Sequence, residues 1–165
     1  MKLRFLAVLA AAALAVAGLF VYTSKPLAPS VAFTTLQGER IDTVALRGKV
    51  VLVNFWATTC ATCVAEMPML IETHKKFAAR GLETVAVAMD YDPEVQVRAY
   101  AERNALPFRV ALDADGAAAR GFEGVRLTPT TFLIDRRGYI VHKYLGAPDF
   151  GALHELLEKL VEEPA

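Results

Sequence analysis

Two cysteines in 165 residues, Cys60 and Cys63, stand just beyond a nearly unbroken apolar run, Val50-Val51-Leu52-Val53-Asn54-Phe55-Trp56. Such a run reads as a strand covered on both faces, which belongs in the middle of a sheet. The residues after it carry apolar positions at helical spacing: Val64, Met67, Leu70, Ile71, His74, Phe77 and Ala78 form one stripe. The spacing predicts a helix over 60–79, kinked at Pro68. The cysteines therefore lie on a strand-to-helix junction. A helix N-terminus offers the first sulfur unpaired backbone N–H groups and partial positive charge, which favour its thiolate. Cys63 lies three residues on, on the same helical face, and can close a disulfide with Cys60.

Other uses of the pair fit poorly. A structural disulfide closing so short a loop removes little entropy from the unfolded chain. A zinc site needs four ligands, yet there is no second cysteine pair, and His74, His142 and His154 are scattered singly. Haem attachment needs histidine after the second cysteine, where Val64 stands. A peroxidatic cysteine usually follows threonine by three residues and proline by seven; before Cys60 those places hold Ala57 and Val53. The pair is read as a redox centre that carries electrons on its own sulfurs, without a dissociable cofactor or metal. Met67 and Met69 have no Met/His cluster around them and read as packing residues.

The N-terminus is different material. Lys2 and Arg4 precede an uncharged apolar run over 5–22, seven of whose residues are alanine. As a helix it would span about 27 Å, close to the ~30 Å hydrocarbon core of a bilayer. The basic pair holds that end in the cytoplasm and sends the rest outward. Ala15-Val16-Ala17 would suit a signal peptidase, but Leu19-Phe20-Val21-Tyr22 continues the run. Residues 1–22 are read as an anchor in the cytoplasmic (inner) membrane, with a cleaved signal and a soluble periplasmic product as the alternative. Residues 23–30, with two prolines, read as a linker, and 31–165 as one domain. Basic and acidic residues balance at 18 each, so without Lys2 and Arg4 the exported part is net acidic. No basic stripe invites nucleic acid.

The remaining pattern alternates. A hairpin over 31–36 and its turn at Gln37-Gly38 precedes a helical turn over 42–46. Strands are expected at 49–56, 82–89 and 108–112. A helix opens at Pro93 and runs to 104, a short one covers 117–122, and a last one 150–161. Residues 130–135 and 139–145 form a hairpin. This is an α/β sandwich with a mixed sheet.

Trp56-Ala57-x-x-Cys60-x-x-Cys63 followed by Glu66-Met67-Pro68 resembles thioredoxin-like proteins, in particular their membrane-anchored, extracytoplasmic TlpA/ResA branch. A second match, Gly124 to Asp135 around Thr128-Pro129-Thr130-Thr131, resembles the family's cis-proline loop, which faces the cysteines. The likeness runs from about Val31 to the C-terminus. It implies a three-layer thioredoxin-like sandwich with an N-terminal hairpin and a strand–helix insertion around 93–112. Three positions depart: Thr59 replaces a common tryptophan, Thr62 the usual proline, and Asn54 the buried aspartate of cytoplasmic thioredoxins.

The resemblance assigns roles. Cys60 attacks a partner's disulfide and Cys63 resolves the mixed disulfide. Glu66, one turn beyond Cys63, has by spacing alone the look of a solvated helix residue; the resemblance makes it the base for Cys63. Trp56, Thr128 and Pro129 meet the partner chain, with Trp56 packed beside the cysteines. Ala61 and Thr62 tune the potential. A Thr62 hydroxyl donating to the Cys60 thiolate would make the protein more oxidising than thioredoxin, at ~−270 mV. The implied activity is an extracytoplasmic thiol–disulfide oxidoreductase, reducing protein disulfides such as those of apocytochrome c. Its electrons would come from an integral-membrane thiol donor. An oxidant or isomerase, or a Cu(I)-handling thiol protein, are the rivals.

Overall fold

The computed structural model describes residues 25–164; the expected anchor at 1–22 lies outside them. Among the described residues no helix is long and apolar enough to cross a membrane. Seven strands form one mixed sheet: β1 (Ala32–Thr35), β2 (Arg40–Asp42), β3 (Val50–Trp56), β4 (Leu82–Ala88), β5 (Arg109–Leu112), β6 (Thr130–Ile134) and β7 (Ile140–Leu145). Their order is β2-β1-β5-β4-β3-β6-β7. The apolar run is β3, buried at all seven positions, parallel to β4 and antiparallel to β6. The described α-helices are α1 (Ala61–Phe77), α2 (Glu94–Arg103), α3 (Ala117–Gly121) and α4 (Phe150–Glu162).

Strand alternation divides the core in two. Val50, Leu52 and Trp56 of β3 join Cys63, Met67, Leu70 and Phe77 of α1 and Leu153, Leu157 and Leu160 of α4 on one face. Val97 brings α2 to that same face. Val51, Val53 and Phe55 point the other way, into Phe33, Phe122, Phe132, and Ala118 and Ala119 of α3. The result is three layers, with the sheet in the middle. Asn54 shares its face with Leu52 and Trp56 and so looks toward α1.

The hairpins and the helical turn fall where expected; Asp42 caps the turn at Thr43–Leu46 by accepting from Val44 N–H. In the inserted stretch, β5 pairs parallel with β4 and antiparallel with β1, stitching the N-terminal hairpin into the sheet. Three local expectations are corrected. Pro93 caps α2 instead of opening it, because its ψ of 127° is still extended. Val64 is exposed, and the buried face of α1 takes in Glu66 and Thr73. The linker is not slack throughout. Ala28 N–H donates to Gly138 O, Pro26 O accepts from Ile140 N–H, and Pro29 O accepts from the Thr43 hydroxyl.

Candidate active site

The loop between β3 and α1 delivers Cys60 as the N-cap of α1, in extended conformation. Its Sγ accepts the Cys63 backbone N–H at 3.2 Å. The first turn of α1 holds no carboxylate, while His74, Lys75 and Lys76 occupy the last, so the helix field at Cys60 is not cancelled. Cys60 and Cys63 are joined in a disulfide. They differ in access: Cys60 is partly exposed and Cys63 fully buried. An attacking sulfur with a shielded resolving sulfur behind it is what stepwise thiol–disulfide exchange needs.

Below the disulfide lies a polar pocket in an apolar core. Asn54 Nδ2 donates to Glu66 Oε1 and to Thr131 Oγ1, each at 2.9 Å. Glu66 is only 4% exposed, and its Oε2 has no partner; neither has Asn54 Oδ1. Burial pushes the Glu66 carboxyl up from its ordinary 4.5 to about 7, against the downward pull of the Asn54 donor. Poised there, it can take or give a proton near neutrality.

A second loop closes the site. The Thr128–Pro129 peptide is cis, and Thr128 O lies 3.6 Å from Cys60 Sγ. In the disulfide that sulfur carries no proton; as a thiol it can donate to this carbonyl. The Tyr91 and Thr128 hydroxyls are 3.3 Å apart. On the other side, both Asp92 carboxylate oxygens accept from Thr58, one from its N–H and one from its hydroxyl, each at 2.6 Å.

Comparison with known proteins agrees with this geometry. The Redoxin family model matches residues 23–158. The chain belongs to the Redoxin family. Within it, the chain is 36% identical over 133 residues to a thiol-disulfide oxidoreductase ResA of Bacillus cereus, spanning 81% of this chain and 76% of that one. ResA of Bacillus subtilis (strain 168) is 32% identical over 130 residues, 79% and 72% of the two chains. A crystal structure of a thiol:disulfide interchange protein of the thioredoxin family from Chlorobium tepidum TLS superposes with a TM-score of 0.75. It is 25% identical and covers 84% of this chain and 98% of that chain. This redoxin is a thioredoxin-like, ResA-like thiol–disulfide oxidoreductase.

The redoxin fold brings Cys60, Cys63, Thr128 and Pro129 together, with Glu66 buried on the same helix three residues after Cys63. Trp56 is a correction. It is fully buried against Tyr100, with ring centroids 5.2 Å apart, so it backs the site and has no surface for a partner. Ala61 and Thr62 are exposed, and no hydrogen bond joins the Thr62 hydroxyl to Cys60 in this oxidised form. The sequence reading did not find Asp92, Tyr91 or Thr131. Asp92 is 34 residues from Thr58, with no local pattern linking them. Thr131 left one trace, the second of two threonines that open an otherwise apolar strand.

Proposed function

We propose that this oxidoreductase reduces protein disulfides outside the cytoplasmic membrane, tethered by residues 5–22. The observation that carries this reading is the asymmetry at the disulfide: Cys60 partly open at a helix N-terminus, Cys63 buried behind it, with the buried Glu66 three residues further along the same helix. In the reduced protein the Cys60 thiolate attacks a partner disulfide, forming a mixed disulfide and expelling one partner thiolate. Glu66 accepts the Cys63 proton, and the Cys63 thiolate attacks Cys60 Sγ. The Cys60–Cys63 bond forms, and the second partner sulfur leaves. Two electrons pass to the partner; the proton held by Glu66 goes to one departing thiolate, the other takes from solvent the proton that Cys60 released on ionising, and no dissociable cofactor is involved. Thr128 O, beside Cys60, offers a bound extended segment a backbone acceptor.

The sequence resemblance supports apocytochrome c as a substrate and an integral-membrane thiol protein as donor, since cytoplasmic reductants cannot reach an exported domain. An anchor would raise the effective concentration near such a donor. The test is trapping. Cys63→Ala in the full chain should accumulate partners bound through Cys60, released by dithiothreitol and missing from the Cys60→Ala/Cys63→Ala double variant. An adduct on neither variant would end the proposal, and recovery of only reduced, non-disulfide clients would reverse its direction.

A further inference from the structure

Asn54 and Thr131 face each other as a register pair across β3 and β6, and both are fully buried. Across the same strands Thr130 turns away and donates its hydroxyl to Leu127 O at 2.7 Å, fastening the loop that carries Pro129. Thr131 does something else. The two N–H bonds of the Asn54 amide diverge from one nitrogen, one to Glu66 Oε1 and one to Thr131 Oγ1. A single bond would leave the amide plane free to swing about Cβ–Cγ; two acceptors on one nitrogen fix it.

The two acceptors are unequal in stiffness. Glu66 reaches Asn54 on a long side chain, whereas Thr131 is β-branched and restricted at χ1, and its strand is hydrogen-bonded on both sides. Thr131 is the rigid fixed point. Valine has the same branched shape and is at least as favourable in a strand, so packing alone does not call for a hydroxyl in this place.

We propose that Thr131 is a positioning residue for Glu66: its hydroxyl holds the Asn54 amide in the plane that donates to the Glu66 carboxylate. The functional consequence rests on Glu66 serving Cys63 in the exchange reaction. Without the hydroxyl, the amide swings, and its donation to Glu66, the carboxylate's one hydrogen bond, weakens. The charged form is then disfavoured, and Glu66 holds its proton to higher pH.

The test is a 13C NMR titration of the Glu66 carboxyl in the oxidised protein, where neither cysteine titrates. Thr131→Val should raise the midpoint by about half a pH unit, and Thr131→Ser should restore it. Added to Asn54→Ala, Thr131→Val should move it no further, because the connecting amide is gone. A midpoint unchanged in Thr131→Val, or shifted equally in the Asn54→Ala background, overturns the proposal even if stability falls. Should Thr131→Val not fold, Thr131→Ala carries the same comparison. The titration involves no exchange chemistry. Loss of the oxidoreductase reading for Glu66 would show separately, as a pH–rate profile that Glu66→Gln leaves unmoved.

Discussion

Glu66 is where one residue changes how the whole chain answers to pH. Its side chain is on the core side of α1, beside a single amide donor, and its carboxyl sits at about 7 in place of 4.5. Between those values the folded protein keeps a proton that the unfolded chain has released. The proton-rich state is then the folded one, so stability falls as pH rises from about 4.5 to about 7 and levels off above. The loss attributable to this group is on the order of 2–3 kcal/mol. Glu66→Gln keeps the shape of the neutral carboxyl and cannot ionise. In urea denaturation of the oxidised proteins, the variant should gain on the wild type by that amount between pH 5 and pH 8, since every other titration is common to both. Parallel curves would mean that Glu66 titrates as an ordinary surface carboxylate.

At the scale of elements, the site is two loops held in register by a third. The β4–α2 connection sends Asp92 to Thr58, ahead of Cys60, and Tyr91 to Thr128, ahead of Pro129. Asp92 is buried and accepts two short hydrogen bonds, so Asp92→Ala should cost on the order of 2–3 kcal/mol. The loss should be local as well as global: amide exchange at Thr58 to Cys60 should accelerate ahead of that of β3. Asp92→Asn, which keeps one acceptor oxygen, should lose about half as much; equal exchange in all three proteins would dismiss the clamp. These contacts show what was legible in the sequence and what was not. The strands and helices announced themselves because apolar periodicity is a local signal, and the cysteines because their spacing is too. The buried face of α1 was drawn from apolar residues, which wrongly admitted Val64 and passed over Glu66 and Thr73. A helix buries positions by angle, and a polar side chain at a buried angle stays hidden until its partner on another element is known. Asn54 and Thr131 are such partners, 77 residues apart.

Across the whole molecule, the end away from the disulfide is gathered by one side chain. Arg136 and Arg137 read alike as turn residues, yet their fates differ. Arg137 is exposed beside Asp135. Arg136 reaches inward, and its guanidinium donates to Gly48 O before β3, Arg80 O after α1 and Val161 O in α4. Three segments distant in sequence thus share one cation at carbonyls that their own elements leave unpaired. Gly81 makes room: its φ is +100°, and a Cβ there would lie 3.0 Å from Arg136 Nη2. The planar fork is what allows three directions at once, and an ammonium has no such geometry. Arg136→Ala should therefore destabilise the fold by on the order of 3 kcal/mol, and Arg136→Lys should recover less than half of that. Because the residue is at the far pole from Cys60, the rate at which the folded protein exchanges disulfides with a small dithiol should stay at the wild-type value in both variants. Urea midpoints and that rate, measured together, separate the roles: full rescue by lysine would reduce Arg136 to a charge, and a slowed exchange rate would show that the two poles are coupled.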